Sequence, residues 1–351
     1  MYYLQKYSNG FSFEKKTKMK NTMQAITISG DGIKVENVHK PEKAEPGHLI
    51  IKMVACGINA GDKAFIGGTF PPGSIPVSQY NICGVSGVGT VIEIGAEVPE
   101  EYIGKNVTVY RSLKFGENII GTWSKYAQLP YQHCVILPAN VNMEEYSGSL
   151  VNIITPYAFL KQIMAEGHKG IISTAGTSAT GIAMLGICLA YNFPLVSIVR
   201  NDAGKKELEE LGAKNIIVQN TNDFKIQVKE ISQQLSATAI FDGVGGELLT
   251  NIIDVLPLNS TIYCYGYLGG KVPLTMHTST LMKGITIKGF GNFRTKTVQD
   301  PQNLETALKD IGAIIHMPHF KTKAGDSFKL EDIHNALSYF SKDGAKAVLY
   351  P

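Results

Sequence analysis

Small and hydroxyl-bearing residues fill a short segment between two apolar runs, and their spacing suits phosphate binding. Gly170–Thr174 (GIIST) leads into Ala175–Gly181 (AGTSATG), followed by an apolar helix predicted over Ile182–Tyr191 and a second apolar run, Leu195–Val199. Strand, turn, helix and strand in about 30 residues match the size of a βαβ unit. A helix that begins at such a turn presents free backbone N–H groups and a positive dipole end, which favour a phosphate.

The turn is a degenerate dinucleotide-binding fingerprint. A G-x-x-G-x-x-G pattern would have glycine at 175, 178 and 181, where this chain has alanine, serine and glycine. A glycine at 181 lets the helix pack close to the first strand, and the hydroxyl groups add hydrogen-bond donors. The alternative is that these small residues serve packing alone. We predict that the turn binds a cofactor pyrophosphate through six residues: Ala175, Gly176, Thr177, Ser178, Ala179 and Gly181.

The second strand ends in Arg200-Asn201-Asp202, which bears on the choice of cofactor. An NAD site usually has Asp or Glu about 20 residues past the turn, to hold the ribose 2′-hydroxyl. Arg200 stands 19 residues beyond Gly181, and a guanidinium suits a 2′-phosphate. The sequence therefore predicts NADPH as the cofactor, with a surface or helix-capping arginine as the alternative. We expect Asp202 to be the N-cap of the next helix rather than a ribose ligand.

Glycine-rich segments follow two later predicted strands. These are Phe241–Gly246 (FDGVGG) and Tyr265–Gly270 (YGYLGG). Glycines at several strand ends permit the close approach of a flat ligand, although either segment alone could be an ordinary turn. We predict that Val244, Gly266 and Tyr267 contribute to cofactor binding.

The surrounding elements divide the chain into two kinds of structure. Residues 23–146 contain short strands rich in glycine and valine, typical of a curled β domain. Residues 147–291 alternate strand and helix, which predicts a doubly wound parallel sheet. A helix pair interrupted at Pro156 is predicted over Ser147–Met164. Residues 292–351 return to the β domain through a helix, a short strand near His319-Phe320, a helix (Leu330–Ser341) and a last strand (Ala345–Leu349).

Composition limits the class of protein. The 351 residues are 44% hydrophobic and 18% charged, with a net charge of +3. Residues 1–22 carry +4 of that, which leaves −1 on the rest and argues against a nucleic-acid surface. We treat residues 1–22 as an extension. The five cysteines are scattered and no apolar run is long enough for a membrane span. We expect a cytoplasmic protein with buried free thiols.

Several further motifs carry a resemblance to a known family. The chain from about Met23 to Pro351 resembles the medium-chain dehydrogenase/reductase superfamily, in its zinc-free branch of quinone oxidoreductases and enoyl reductases. The resemblance implies a GroES-like barrel domain with a Rossmann domain inserted in it. The motifs that carry it are Gly57–Asp62 (GINAGD), Cys83–Val91 (CGVSGVGTV), Gly121–Tyr126 (GTWSKY), Thr155–Tyr157 (TPY), Leu211–Ala213 (LGA) and Phe241–Gly246.

The same comparison predicts that the protein uses no metal. Zinc alcohol dehydrogenases of this superfamily have Cys where Asn59 stands and Gly-His-Glu where Gly84-Val85-Ser86 stands. Neither Asn59 nor Val85 supplies a zinc-binding side chain. Hydride transfer to a conjugated acceptor needs no metal, but the developing negative charge needs hydrogen-bond donors.

The resemblance implies three candidate catalytic residues. Asn59 would lie near the nicotinamide and polarise a carbonyl, unless it only holds loop backbone. Thr155 would contact the nicotinamide ribose, with helix capping as its alternative. Tyr157 is a weaker candidate, with packing as its alternative, and Asp62 would fix the loop.

One departure concerns the proton donor. Mitochondrial-type enoyl thioester reductases carry Gly-Thr-Tyr-Pro with a catalytic tyrosine, whereas this chain reads Gly68-Thr69-Phe70-Pro71. Phe70 has no hydroxyl, so that acid is lost, and Tyr80 or solvent would have to replace it. We expect Phe65–Tyr80 to form a mobile loop over the cleft.

These observations predict an NADPH-dependent reductase of a small electrophilic substrate, either a quinone or an α,β-unsaturated carbonyl. The alternatives are an enoyl thioester reductase, or a cofactor-binding protein with little turnover. The resemblance also implies a homodimer that pairs through the last strand of the nucleotide-binding sheet, predicted at Ile285–Phe290.

Overall fold

The computed structural model describes residues 21–68, 78–113, 118–342 and 344–351. The predicted extension 1–22 lies almost wholly outside these residues, and β1 begins at Thr22. Within the described part, the β-rich first portion contains one α-helix, α1 (Ala60–Ile66), and seven strands: β1 (Thr22–Ser29), β2 (Gly32–His39), β3 (His48–Gly57), β4 (Ser86–Ile94), β5 (Asn106–Tyr110), β6 (Tyr126–Pro130) and β7 (Cys134–Ile136).

The middle of the chain alternates helix and strand. After α2 (Leu150–Ala165) come six strands: β8 (Gly170–Ser173), β9 (Leu195–Val199), β10 (Ile216–Val218), β11 (Ala237–Asp242), β12 (Thr261–Cys264) and β13 (Thr286–Gly289). The helices between them are α3 (Ala179–Ala190), α4 (Asp202–Glu210), α5 (Phe224–Gln234), α6 (Gly246–Ile252) and α7 (Thr278–Leu281).

The six strands form one parallel sheet in the order β10-β9-β8-β11-β12-β13. Successive residues of β8 pack into hydrophobic cores on opposite faces of the sheet. Ile171 packs with α2 and α3 residues, whereas Ile172 packs with α5 and α6 residues. A parallel sheet that is buried on both faces is the doubly wound arrangement. Because the strand order reverses between β8 and β11, the ligand crevice is expected at their carboxyl ends.

The last part of the chain returns to the first sheet. It contains α8 (Lys296–Gln299), α9 (Pro301–Ile314), β14 (Ala324–Lys329), α10 (Ile333–Ser338) and β15 (Lys346–Tyr350). The mixed sheet has the order β14-β15-β3-β4-β5-β7, with β6 paired to β3. Thus β15 lies directly beside β3, and the parallel sheet is inserted in a mostly β unit. The predicted fold class is confirmed, while the domain boundaries 146/147 and 291/292 stay a prediction.

Two local predictions are wrong. Helix α2 is a single helix with Pro156 inside it, because its apolar residues Ile153, Tyr157 and Leu160 are buried and this packing offsets the hydrogen bond that proline removes. The segment at His319-Phe320 is a 3₁₀ turn (Pro318–Phe320), and the strand lies further on, at β14.

All five cysteines are free, and four of them are buried, as expected for thiols that only pack. Burial raises the pKa of the Cys83 thiol to about 12. Over the part of the chain that the structure describes, no helix has the length and apolarity needed to cross a membrane.

Candidate active site at the interdomain cleft

The turn Ala175–Gly181 joins β8 to α3 at the carboxyl edge of the parallel sheet. Ser178 is the N-cap of α3, and its hydroxyl oxygen accepts a hydrogen bond from the Gly181 amide at 3.0 Å. A Cβ on Gly181 would lie 2.0 Å from the carbonyl oxygen of Ala175, so only glycine permits this close packing. Residues 177–180 are half-buried, and the first amides of α3 have no partner inside the helix.

Two loops lie beside this turn at the same sheet edge. Asp242, the last residue of β11, accepts hydrogen bonds from the Thr174 hydroxyl at 2.6 Å and from the Val244 amide at 3.2 Å. The amides of Leu268 and Gly269 donate to the carbonyls of Gly243 and Val244, each at 2.9 Å. The loops after β11 and β12 are therefore joined to each other and to the end of β8.

The three loop residues predicted to bind cofactor belong to this edge. Val244 and Gly266 are half-buried and Tyr267 is 53% exposed. A Cβ on Gly266 would approach the carbonyl oxygen of Gly243 to 3.0 Å. The structure thus brings Val244, Gly266 and Tyr267 to the side of the sheet that holds the turn, where a ligand could reach all of them.

Arg200 directly follows β9, and its side chain is exposed. The N-cap of α4 is Asn201, whose Oδ1 accepts from the Gly204 amide at 3.0 Å. The prediction that Asp202 caps this helix is therefore wrong by one residue: Asp202 is the first helical residue. The capping role is filled by Asn201, and Arg200 lies between the end of β9 and this cap.

Asn59 is the N-cap of α1 and Asp62 lies in the first turn of that helix, and both residues are buried. The backbone amide of Asn59 donates to Asp62 Oδ2 at 2.9 Å, and the backbone amide of Val85 donates to Asp62 Oδ1 at 3.2 Å. Burial raises the pKa of Asp62 to about 6, while these amides and the buried Arg111 act in the opposite direction. Asp62 thus ties α1 to the segment before β4.

The Asn59 side chain is part of a hydrogen-bond chain across the cleft. The Lys346 ammonium donates to Asn59 Oδ1, and Asn152 Nδ2 donates to the same oxygen at 3.3 Å. The Thr180 hydroxyl in turn donates to Asn152 Oδ1 at 3.0 Å. Four elements meet here: the loop before α1, strand β15, helix α2 and the first turn of α3. Asn59 is thereby connected to the turn predicted to bind the cofactor.

Thr155 and Tyr157 occupy different environments on α2. The Thr155 hydroxyl donates to the Val151 carbonyl at 2.6 Å and accepts from Asn292 Nδ2 at 2.8 Å, so it lies within the helix and is not a cap. Tyr157 is buried, and its hydroxyl donates to Asp310 Oδ2 at 2.6 Å. Burial and this hydrogen bond raise its pKa. The geometry favours the packing alternative for Tyr157 over a catalytic role.

Phe70 lies outside the described residues, as does most of the predicted loop Phe65–Tyr80. Tyr80 is 48% exposed and has a positive φ of 56°. Among the described residues, no group of three His, Cys, Asp or Glu side chains has the geometry of a metal site. At the positions compared with zinc enzymes, the Asn59 oxygen is occupied by Lys346 and Val85 is buried.

The residues at the sheet edge fit a dinucleotide. Gly181 leaves no room for a Cβ, residues 177–180 are half-buried, and the start of α3 carries the positive end of the helix dipole, which suits a pyrophosphate. The Arg200 guanidinium, just after β9, suits an additional phosphate. Sequence reasoning did not find Asn152, Thr180 or Lys346. The one available signal was a lysine within the apolar strand Ala345–Leu349, because a charge in such a strand is unusual unless it is paired.

Comparisons with known proteins agree with this architecture. The family model of the alcohol dehydrogenase GroES-like domain matches residues 45–139, and the model described as zinc-binding dehydrogenase matches residues 179–310. The mitochondrial enoyl-acyl-carrier-protein reductase of Dictyostelium discoideum is 25% identical over 345 residues, which cover 94% of this chain and 95% of that protein.

Solved structures share the fold. The enoyl thioester reductase of Candida tropicalis, solved as a mutant, matches with a TM-score of 0.74 at 22% identity. The match covers 94% of this chain and 100% of the reductase chain. The Escherichia coli quinone oxidoreductase, solved with NADPH, has a TM-score of 0.71 at 18% identity, with coverages of 94% and 99%. The chain belongs to the medium-chain dehydrogenase/reductase superfamily, in its quinone oxidoreductase and enoyl reductase branch. It is an oxidoreductase with an NAD(P)-binding fold.

Proposed function

We propose that this protein is an NADPH-dependent reductase that transfers a hydride to a quinone or an α,β-unsaturated carbonyl without a metal. The observation that carries the proposal is the hydrogen-bond chain from Asn59 through Asn152 to Thr180. It joins a buried amide to the first turn of α3, so hydrogen bonds link the proposed donor for the substrate carbonyl to the proposed binding site for the cofactor.

The residues have separable roles in this reaction. The turn Ala175–Gly181 would hold the pyrophosphate, and Arg200 would hold the 2′-phosphate. When bound, NADPH supplies the hydride. Asn59 would donate a hydrogen bond to the substrate carbonyl oxygen, where negative charge develops, and preorganised donors of this kind lower the barrier strongly. Thr155 lies one turn along α2 from Asn152 and would contact the ribose. Solvent or Tyr80 would deliver the proton.

A second candidate function is the reduction of enoyl thioesters. It is supported by the Dictyostelium discoideum relative, which matches over nearly the full length of both chains. Against it stands Phe70, which has no hydroxyl where those reductases use a tyrosine. A third candidate is a protein that binds cofactor with little turnover, as the degenerate turn would allow.

An acceptor panel separates these candidates. The purified protein is mixed with NADPH, and the absorbance at 340 nm is followed with a naphthoquinone, a short enone, or trans-2-hexenoyl-CoA. We expect turnover with the quinone or the enone. Faster turnover with the thioester would favour the second candidate. NADPH binding without reduction of any acceptor would favour the third and overturn the proposal.

A matched pair of variants tests the role of Asn59. Asn59→Ala removes the proposed donor and should lower kcat by about 100-fold, the usual cost of losing one donor to a developing oxyanion. Asn335→Ala, an exposed asparagine on α10, should leave kcat unchanged. Equal rates for the two variants would remove Asn59 from the mechanism.

A further inference from the structure

A lysine within the last strand of the mixed sheet has no role in the scheme above. Lys346 begins β15, and the residues that follow it, Ala347, Val348 and Leu349, are all buried. Its ammonium donates to Asn59 Oδ1. An ammonium group is costly to bury without a partner, so its contact with a neutral amide needs a physical explanation.

The charge on Lys346 requires the oxygen of the Asn59 amide to face it, and the capping box at the start of α1 favours the same orientation. An ammonium has three donors and no acceptor, so the atom of Asn59 that meets it has to be the oxygen. Asn152 Nδ2 donates to the same oxygen at 3.3 Å. Within the described part of the chain, Asn59 Nδ2 makes one long contact, to the Gly57 carbonyl at 3.4 Å. The amide oxygen is therefore occupied, and the NH₂ group keeps a hydrogen free for a ligand.

The contact also strengthens the amide as a donor. When the oxygen of an amide accepts from a cation, its N–H bonds polarise and donate more strongly. We propose that Lys346 is a positioning residue, whose ammonium orients the Asn59 amide and increases its ability to polarise the substrate carbonyl. This inference rests on the proposed function for its catalytic consequence, but the lysine–amide coupling itself can be measured without turnover.

The charged groups around Lys346 come from several elements. Asp62 on α1 attracts the ammonium, and Asp62 also interacts with Arg111. His319 and Lys321 line the same small cavity from the segment after α9, and Lys321 pairs with Glu145 at 2.9 Å. Burial lowers the pKa of Lys346 to about 8, against the attraction of Asp62.

The first measurement is the titration of the two side chains by NMR. Lysine labelled at ¹³Cε and asparagine labelled at ¹⁵Nδ2 are followed from pH 6 to pH 10, with Lys346→Met and Asn59→Ala used to assign the signals. We expect the Asn59 amide signal to move with the same midpoint as Lys346. An Asn59 signal that ignores the lysine titration would overturn the inference, whatever the enzyme reduces.

The second measurement is kinetic. Lys346→Met should lower kcat by about tenfold, less than loss of the Asn59 donor itself, with the NADPH dissociation constant and the acceptor KM little changed. The wild-type kcat should fall as pH rises through the lysine pKa, because the ammonium is lost. Lys346→Arg should keep most of the rate and shift this fall to higher pH.

The controls separate the possible outcomes. Lys329→Met removes an exposed lysine from the adjacent β14. It should change neither the NMR titration of the Asn59 amide nor kcat and its pH profile. If Lys346→Met does not fold, the wild-type titration and Lys346→Arg still decide the matter. A wild type that reduces no acceptor contradicts the proposed function alone. A folded Lys346→Met enzyme with the wild-type rate and pH profile contradicts the role of Lys346 alone.

Discussion

Of the three residues that follow β9, Arg200 is the one proposed to bind the ribose end of the cofactor. The next residue, Asn201, caps α4, and Asp202 is already helical. A carboxylate at this position would accept from the ribose hydroxyl of NAD, whereas a guanidinium has a strong partner only in a phosphate. The proposed preference for NADPH thus depends on one exposed side chain.

Arg200→Ala is expected to weaken NADPH binding and leave NADH binding nearly unchanged. Hydrogen bonds to charged groups contribute about 1.5–3 kcal/mol, so the NADPH dissociation constant should rise at least tenfold. Fluorescence titration with both cofactors measures this. Lys225→Ala on α5, which removes an exposed cation elsewhere, should alter neither affinity. Equal losses for NADPH and NADH would reject the role of Arg200.

Gly181→Ala tests the close packing of α3 on β8. The new methyl group would lie 2.0 Å from the Ala175 carbonyl oxygen, so the helix has to shift, and overpacking of this kind costs about 1–3 kcal/mol. We expect a lower Tm and weaker cofactor binding.

The matched control for Gly181 is Gly312→Ala in α9, where the methyl group would meet only a Val135 carbon at an ordinary 3.6 Å. It should keep or raise the Tm, because alanine favours a helix over glycine by about 1 kcal/mol. A Gly181→Ala protein as stable as this control would show that the turn tolerates a side chain.

The sequence was informative about these residues to different degrees. Gly181 and Arg200 were predicted as cofactor-binding residues from their offsets along a βαβ unit, which depend on local geometry, and these roles stay predictions. Lys346 and Asn152 were missed, because they meet Asn59 only after segments far apart in the chain come together. Tyr157 was predicted from its neighbourhood in sequence, but a helix turns it toward Asp310 and the core.

The element that supports the Asn59 loop is helix α1, whose first turn is fixed by the buried Asp62. Both carboxylate oxygens accept backbone amides, one from Asn59 and one from Val85. A neutral carboxyl satisfies these amides less well than a carboxylate, but it avoids the cost of a buried charge. The balance makes the packing of α1 against the segment before β4 depend on pH.

Protein stability should therefore decrease with rising pH through the Asp62 titration. Its pKa is raised to about 6, so the stabilising contribution is present below the unfolded value, near 3.9, and is lost above about 6; the difference corresponds to roughly 2–3 kcal/mol. Urea unfolding at several pH values should show Asp62→Asn losing less stability over this range than the wild type. Asp326→Asn, an exposed acid on β14, should follow the wild type.

The predicted helices and strands agree with the structure where the apolar residues follow a regular period. They agree less well at α2 and around His319. Strands β8, β9 and β13 were predicted within one residue of their bounds. For β8 and β9 the reason is that all of their residues are buried, as in the centre of a parallel sheet. Pro156 suggested a break in α2, which tertiary packing overrides.

At the scale of the whole molecule, the parallel sheet ends at β13, which has no neighbour on its outer side among the described strands. Large apolar side chains are exposed near this edge: Leu281 is 48% exposed, Met282 88% and Ile287 37%. An unpaired edge strand with exposed apolar side chains beside it is a site for pairing with a second chain, so the expected homodimer would form here.

Light scattering at micromolar concentration should give about twice the chain mass of 38.1 kDa. Met282→Asp should reduce this to one chain mass, because the charge would be buried at the interface. Phe340→Asp changes an equally exposed apolar residue, at 82%, far along the chain after α10, and should leave the mass unchanged. A monomeric wild type would reject this interface.

The position of β15 beside β3 also sets an order of events during synthesis. The parallel sheet is contiguous from β8 to β13 and can form as a unit while the ribosome is still adding residues. The mixed sheet cannot close until Val348 and Leu349 reach Gly57 and Cys56, across most of the chain. Lys346 arrives with that strand, so we expect a nascent chain to acquire its nucleotide-binding fold well before it becomes a working enzyme.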